Sequence, residues 1–303
     1  MPEELPSSGT GIDGDPYILT NIEQVQWIGG DSVGHPLAHR RAAYYELGND
    51  IDASETEEWN WAGTYYQGWI PISGFVGNFD GMDCSITSLY IHQIEDLWKV
   101  GLFGTLGQYA TIRNVSILNA SVTVEKTGVS SSVTDVGVLV GIAQDTNEVL
   151  IERVYASGQV SSTFHGSIYM PSAGGLIGSL LRMHHTTVQY CAADVNVTLI
   201  CTHATDGKGN AGGFIGQHAS YHTVIINDCY ARGSVSLSVT GSSAGVGGFG
   251  GRWPLPTNPL DPKYYRVYAT GSVTGSSAGG LVGTVWPVKG VMEDSFWDAK
   301  PLA

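Results

Sequence analysis

The sequence predicts an all-β protein that folds as a right-handed parallel β-helix, or β-solenoid, of roughly six or more coils with an N-terminal capping region. Three observations lead to this prediction. A glycine-rich hexapeptide recurs at nearly constant spacing, alternating apolar residues follow each copy, and the 303 residues include 41 glycines and 12 prolines. No segment shows a helical period long enough to indicate a bundle of helices.

The hexapeptide is the strongest signal, because self-similarity at a fixed period is typical of repeat architectures. The final glycines of its copies are separated by 37, 37, 38, 35 and 32 residues. The first copy is one residue shorter than the others. The copies are Val100 to Gly104, Val136 to Gly141, Ala173 to Gly178, Ala211 to Gly216, Val246 to Gly251 and Ala278 to Gly283.

The segments that follow the hexapeptides align in two neighbouring columns. One column holds Val154, Cys191, Cys229 and Val267, and the next holds Tyr155, Ala192, Tyr230 and Tyr268. A column in which valine and cysteine replace each other indicates a core position, since free cysteine packs as a small hydrophobe. Each unit therefore contains at least two short strands, and stacked units bury a continuous core.

The repeated glycines are expected to have two structural roles. They allow positive φ at the corners of the coils, and they let the backbones of neighbouring coils approach closely. We divide the chain into residues 1-99, an N-terminal capping region with the first coils, and residues 100-303, the solenoid repeats. Because the repeats follow without a linker, we expect the two parts to form one continuous domain.

The hexapeptides resemble the GLUG motif, a glycine-punctuated repeat of bacterial and phage surface proteins, adhesins and the β-helical part of immunoglobulin A-cleaving metallopeptidases. Four segments resemble the region that precedes such repeats, namely Gly9 to Gln26, Tyr44 to Asp52, Trp69 to Ile72 and Gly77 to Ile91. Asp294 to Asp298 resembles their last coil. Residues 82–84 depart from the Asn-Gly-His that this family shows more often. The resemblance implies a solenoid and a surface location but no catalytic residues, and the HExxH zinc motif of the peptidases is absent here.

The composition argues against two classes of partner. The net charge is −14, and residues 1–100 alone carry −13, so neither nucleic acid nor an anionic membrane is expected to bind. No apolar run is long enough to insert into a membrane, and no apolar leader follows Met1. The cysteines show no metal-ligand spacing, so we expect neither a metal nor a cofactor.

Two pairs of carboxylates could serve an enzyme that cleaves glycans, because β-helices often cleave polysaccharides with Asp or Glu. They are Asp50 with Asp52, and Asp80 with Asp83. All four lie in segments where aspartate commonly accepts backbone hydrogen bonds at a turn. The turn role is the favoured interpretation, so we expect no catalytic residue among them.

Two other groups of side chains could hold a metal ion. Asp13 to Asp15 and Glu55 to Glu58 offer oxygen ligands for calcium, but they lack the spaced carboxylates of a dedicated loop. His184 and His222 are one repeat apart, so they are expected to stack on adjacent coils and could share a metal or sense pH. A solvated acidic face and an exposed histidine ladder are the favoured interpretations.

Aromatic residues on loops are the feature that most favours a binding function, because rings stack on sugar faces and anchor protein contacts. One cluster is an insertion ahead of Trp69, which itself is expected to be core. The other is an edge pair expected on one rim of neighbouring coils, which the proline-rich loop from Pro254 enlarges. Packing against the solenoid is an equally weighted alternative for each cluster. The candidate ligand-binding residues are Trp59, Trp61, Tyr65, Tyr66, Trp253 and Trp286.

These observations favour a non-enzymatic attachment or structural protein, either a phage tail, fibre or virion component or a bacterial adhesin. The expected location is extracellular, on a virion or a bacterial cell surface, and a start at Met1 without a leader slightly favours a virion. Expected partners are a cell-surface glycan or protein, or neighbouring structural subunits, including a homo-oligomer. A polysaccharide-degrading enzyme and a purely architectural, self-assembling protein remain alternatives.

Overall fold

A computed structural model of the chain describes residues 2–30, 35–94, 99–127, 133–165, 170–202, 208–219, 224–241, 244–253, 263–284 and 291–298. These residues hold 31 β-strands and three short helices. The helices are α1 at Ile22–Trp27, α2 at Leu37–Arg41 and a 3-10 helix at Ser54–Glu58. Over the described ranges, none of these helices is long and apolar enough to cross a bilayer.

The strands are short except for three that turn corners. In chain order, β1 to β9 are Tyr17–Leu19, Tyr44–Leu47, Ile51–Asp52, Ile72–Phe75, Asn78–Asp80, Ser85–Thr87, Tyr90–Ile94, Lys99–Val100 and Phe103–Leu106. Strands β10 to β20 are Thr111–Lys126, Asp135–Val136, Val140–Gln144, Leu150–His165, Ser172–Gly174, Ile177–Leu181, Thr186–Gln189, Ala192–Thr202, Gly209–Gly212, Ile215–Ala219 and Val224–Asn227. Strands β21 to β31 are Tyr230–Ala231, Val235–Val239, Ala244–Gly247, Gly250–Arg252, Lys263–Tyr265, Tyr268–Thr270, Val273–Thr274, Ala278–Gly279, Val282–Thr284, Val291–Glu293 and Phe296–Asp298.

The strands stack in five columns that follow one another around a coil. Columns 1, 2 and 3 form an 18-stranded sheet, because β10, β13 and β17 each continue around a corner. Strand β10 pairs in turn with β5, β6 and β7, which are the strands of columns 1, 2 and 3 in the preceding coil. Column 4 is a six-stranded sheet from β8 to β28, and column 5 is a seven-stranded sheet from β4 to β29. The pairings between coils are parallel.

The predicted β-solenoid is confirmed, and columns 4 and 5 are six and seven strands deep. The five columns exceed the minimum of two strands per unit that the sequence predicted. The hexapeptide itself contributes two, since its first residues end a column 4 strand and its last residues start a column 5 strand. Strands of two or three residues are too short to show an alternating pattern, which explains the difference.

The aligned valine and cysteine positions form a core column, as predicted. Val154, Cys191, Cys229 and Val267 are each at most 1% exposed. The registers of adjacent strands place Tyr155 beside Ala192, and Tyr230 beside Tyr268, in the neighbouring outward column. All four cysteines are free thiols, and burial of the Cys229 side chain, together with its contact to Cys191, raises the pKa of its thiol.

Cys229→Val is expected to lower the free energy of unfolding by no more than about 1.5 kcal/mol, because the column already accepts valine and the change nearly conserves volume. Cys229→Phe, the matched control, adds bulk to a closely packed core and is expected to cost about 1–3 kcal/mol. Urea unfolding followed by circular dichroism measures both. Equal stability of the two variants would contradict the assignment of this column to the core.

The corners between columns 1 and 2 correct one expectation about glycine. The described hexapeptide glycines all lack positive φ, so they do not turn the corners. The corner residues adopt φ between 48° and 55° and are Asn114, Arg153, Tyr190, Asp228, Arg266 and Asp294. Their side chains interact between coils, since Arg266 donates to both carboxylate oxygens of Asp228 at 2.6 Å and the Arg153 guanidinium lies 5.7 Å from the Tyr190 ring. Such contacts offset the cost of a left-handed conformation.

The N-terminal region is held together by a buried arginine. Arg40, only 2% exposed, donates hydrogen bonds to the carbonyls of Trp27, Gly30 and His35. Helix α1 begins at an Asn21 side chain that accepts the Gln24 amide at 2.9 Å. Strand β1 pairs with β2, so this region continues the 18-stranded sheet. The division of the chain at residue 99 stays a prediction.

Candidate functional site

The aromatic insertion between β3 and β4 folds as a hairpin, here called the aromatic hairpin, residues 59–68. The Gly68 amide donates to the Trp59 carbonyl at 3.1 Å, and the Ala62 amide donates to the Tyr65 carbonyl at 2.8 Å. Asn60 Nδ2 donates to the Gly68 carbonyl at 2.6 Å, which closes the base. The tip is the short turn at Gly63, whose φ of +89° favours glycine. Paired backbone groups therefore hold the hairpin in one shape.

Two rings of the aromatic hairpin face solvent as a pair. Trp61 is 59% exposed and Tyr66 is 39% exposed. They lie opposite each other across the hairpin, with ring centroids 4.8 Å apart and planes inclined by 57°. Tyr65 is half-buried and packs against His92, with centroids 5.0 Å apart. An exposed aromatic pair on a hydrogen-bonded hairpin can contact a ligand without losing much conformational entropy on binding.

Trp59 belongs to the core and not to the exposed pair, in contrast to its selection as a ligand-binding candidate. It is 6% exposed and stacks on Trp69 at 6.3 Å with an interplanar angle of 22°. Trp69 is fully buried, as expected, and its indole donates to the Leu102 carbonyl at 3.1 Å. Trp59 therefore anchors the base of the hairpin to the first coil.

The second aromatic cluster is only partly within the described residues. Trp253 is 5% exposed and packs against Tyr264, with ring centroids 3.7 Å apart, so its role is packing. Trp286 and residues 254–262 of the proline-rich loop lie outside the described residues. Of the six candidates, the structure thus brings Trp61, Tyr65 and Tyr66 together.

A third aromatic group was not selected from the sequence. Tyr230, Tyr268 and Phe296 stack on the outer side of column 2, with centroid distances of 5.1 and 5.5 Å. The Arg232 guanidinium lies 4.8 Å from the Tyr230 ring. The signal was present, because Tyr230 and Tyr268 already aligned in one column beside the core column. The stack ends at Phe296, which is 61% exposed.

Three of the four carboxylates in the possible catalytic pairs, those of Asp50, Asp52 and Asp80, accept hydrogen bonds at turns. Asp50 accepts the Ser85 amide at 2.7 Å, and Asp52 accepts the Ser54 amide at 2.9 Å, a bond that lowers the pKa of Asp52. Asp80 accepts the Met82 amide at 2.9 Å and the Arg113 guanidinium at 2.7 Å. Burial raises the pKa of Asp80, but these bonds and one from Asn114 outweigh it, so the net shift is downward. These contacts support the turn role.

The surroundings of the aromatic hairpin are acidic. The 3-10 helix that precedes it carries Glu55, Glu57 and Glu58, all exposed. Partial burial raises the pKa of Glu55, and the charges of Glu23 and Asp52 add to this shift. An acidic border repels anionic ligands and tolerates neutral or cationic ones.

The other metal candidates find no support in the described ranges. No group of three or more potential ligand side chains is close enough to hold an ion there. Asp15 is tied into its own turn, where its side chain accepts the Thr10 hydroxyl at 2.7 Å. The half-buried His184 pairs with Asn147 of the preceding coil, and His222 lies outside the described residues.

Comparison with known proteins finds similar chains, although no family model matches. A stretch of 123 residues, 40% of the chain, is 37% identical to part of halomucin from Haloquadratum walsbyi. The chain spans only 1% of halomucin. The crystal structure of a candidate immunoglobulin A1 protease from Bacteroides ovatus superimposes with a TM-score of 0.55 at 18% identity, covering 96% of this chain and 86% of that one. At this identity the superposition supports the β-solenoid fold alone.

Proposed function

We propose that this chain is a non-enzymatic attachment module that acts outside the cell, on a bacterial cell surface or a virion, and binds a surface glycan through Trp61 and Tyr66. The observation that carries the proposal is the exposed ring pair on a hydrogen-bonded hairpin. Aromatic faces bind the apolar faces of sugar rings, and the acidic border favours a glycan without negative charge.

The surface location has separate support. The resemblance of the hexapeptides to GLUG repeats implies a surface protein, and a part of the chain resembles halomucin. A stack of parallel coils also gives an elongated scaffold on which a hairpin inserted into one coil projects from the side. A protein partner on the same hairpin is the other outcome of the test below.

Trp61→Ala is expected to weaken glycan binding at least about ten-fold, a loss of about 1.4 kcal/mol of binding energy. The measurement is a glycan array with wild type, Trp61→Ala and Tyr66→Ala. Tyr109→Ala is the matched control, because Tyr109 is also an exposed tyrosine, at 56%, but lies outside the hairpin. Equal array profiles for wild type and Trp61→Ala, or binding of no glycan by either, would count against the proposal.

A purely architectural function is the second candidate, and the last coil favours it. Phe296 and Trp297 are 61% and 40% exposed on β31, next to Met292 at 39% on β30. Apolar side chains on a terminal strand favour pairing with another chain. Mass photometry of wild type and Phe296→Ser separates the candidates, since loss of a defined oligomer in the variant indicates assembly through this coil.

A further inference from the structure

A cleft of about 400 Å³ lies on the outer side of column 1, away from the aromatic hairpin. Its floor is formed by outward side chains of β2, β5 and the start of β10. The parallel register places Tyr44 beside Asn78, and Glu46 beside Asp80. The same register on the next coil places Arg113 beside Asp80. The polar side chains of the cleft therefore form two rows. Neighbouring side chains within a row are one coil apart.

The turn at residues 9–16 forms one wall of the cleft. Asp13, Gly14 and Pro16 line it. The amides of Thr10 and Gly11 donate to the Asp15 carbonyl at 3.1 and 2.9 Å. The Tyr44 amide donates to the Gly11 carbonyl at 3.0 Å, which attaches the turn to β2. The wall is thus fixed to the floor by backbone hydrogen bonds.

The centre of the floor is a preorganised ion pair. Asp80 is 8% exposed and accepts from the Met82 amide, from Asn114 Nδ2 at 3.0 Å and from Arg113 Nε at 2.7 Å. These bonds hold the carboxylate still. Over the described part of the chain, Arg113 makes its side-chain hydrogen bond through Nε, which leaves both of its Nη groups available as donors.

The other polar groups of the cleft have unmet hydrogen-bonding capacity. Tyr44, Glu46, Asn78 and Thr111 are each half-buried. Within the described ranges the side chains of these four residues make no hydrogen bond or ion pair to the protein. The Glu46 carboxylate only accepts hydrogen bonds, and the Asn78 amide both donates and accepts them. The hydroxyls of Tyr44 and Thr111 can donate or accept. A ligand with several neighbouring hydroxyl groups matches this set.

The charge and the volume of the cleft further restrict the class of ligand that it can bind. Asp13, Glu46 and Asp80 face one cation, Arg113, so the net charge of the lining is −2 and anionic ligands are disfavoured. The volume lies in the range of small-molecule sites. Polar groups dominate the floor, which does not suit an apolar ligand. We infer that this cleft binds a neutral saccharide of one or two rings, as a site separate from the aromatic hairpin and independent of its function.

The test is saturation-transfer NMR with defined probes: glucose, galactose, mannose, N-acetylglucosamine, maltose, cellobiose and lactose, with glucuronate as the anionic analogue. Wild type is expected to give transfer signals with at least one neutral sugar. The double variant Glu46→Ala, Asn78→Ala is expected to bind it at least about ten-fold more weakly. Glucuronate is expected to bind at least about ten-fold more weakly than glucose.

The control is Glu152→Ala with Gln189→Ala, a carboxylate and an amide on the same column that bond each other at 2.9 Å outside the cleft lining. It is expected to bind like wild type, as is Trp61→Ala. Absence of signal with every neutral sugar, undiminished binding by the cleft variant that melts like wild type, or equal binding of glucuronate overturns the inference. Loss of binding in Trp61→Ala alone would instead assign sugar binding to the hairpin.

Discussion

Gly174→Ala is expected to prevent the solenoid from forming, with a loss of more than about 4 kcal/mol of folding free energy. A Cβ at this position would lie 1.9 Å from the Ile177 carbonyl oxygen and 2.6 Å from the Gly216 amide nitrogen. Both are backbone atoms, one in the same coil and one in the next, so no side-chain rotation relieves the overlap. The coil would have to separate from its neighbour.

The same close approach recurs along the stack. Gly212, which pairs with Gly174, would place a Cβ 2.1 Å from the Ile215 oxygen and 2.7 Å from the Gly251 nitrogen. The first glycine of one hexapeptide thus packs against the last glycine of the following one. Because every coil repeats this contact, one added methyl group interrupts both the coil and the stack.

Gly250→Ala is the matched control and is expected to be neutral or to stabilise by about 0.4–1 kcal/mol. A Cβ there would have its nearest contact at 3.6 Å, with Ile215 Cγ2. Gly250 stands at the hexapeptide position that holds valine or isoleucine in the other full copies. Soluble yield, circular dichroism and thermal unfolding compare the two variants. A Gly174→Ala protein that melts within a few degrees of wild type would show that this contact is not required.

The fold was predictable because each stacked coil needs the same short sequence pattern, so that pattern recurs along the chain. A glycine that touches the backbone of the next coil must recur once per coil, so spacing alone reveals the architecture. The five columns were not predictable, since strands such as Asp135–Val136 are two residues long. The corners were not predictable either, because Arg153 and Tyr190 have no sequence preference for positive φ.

For the candidate sites too, features formed by neighbouring residues in the chain were predictable, whereas contacts between coils were not. The aromatic insertion could be identified from the sequence alone. Strand alternation puts residues two apart on the same face, so the sequence could not show that Trp59 is buried and Trp61 exposed. Asn60 has a φ of 58°, and this turn points Trp59 inward and leaves Trp61 exposed. The saccharide cleft was invisible, because Glu46, Asp80 and Arg113 become neighbours only through the coil register.

Acidification from pH 6.5 toward pH 3 is expected to remove about 5 kcal/mol of stability through one buried histidine. Burial lowers the pKa of His218 from 6.5 to about 3. His218 lies on a column 5 strand, where it pairs with Leu180 of the preceding coil. Its side chain is fully buried. Its Nδ1 lies 2.6 Å from the Tyr264 hydroxyl, also buried. No charged partner is recorded for His218 within the described residues.

The direction follows from where the proton binds. The unfolded chain takes up a proton on His218 near pH 6.5, whereas the folded chain resists until about pH 3. Stability is therefore full above pH 6.5 and falls by about 1.4 kcal/mol for each pH unit below it. Asp135 opposes this trend, because burial raises the pKa of its carboxyl despite the nearby Lys99. The aspartates with lowered pKa, such as Asp145, add to the loss only at more acidic pH.

A difference measurement isolates the histidine from these aspartates. The measurement is urea unfolding of wild type and of the double variant His218→Leu, Tyr264→Phe from pH 7.5 to pH 4.5. The double variant removes both members of the polar pair, and leucine suits the position because Leu180 occupies it in the preceding coil. The stability gap between the two proteins is expected to move by about 2.7 kcal/mol in favour of the variant between pH 7.5 and pH 4.5. A gap that stays constant with pH would mean that His218 binds its proton equally well in the folded and unfolded chains, so that burial does not lower its pKa.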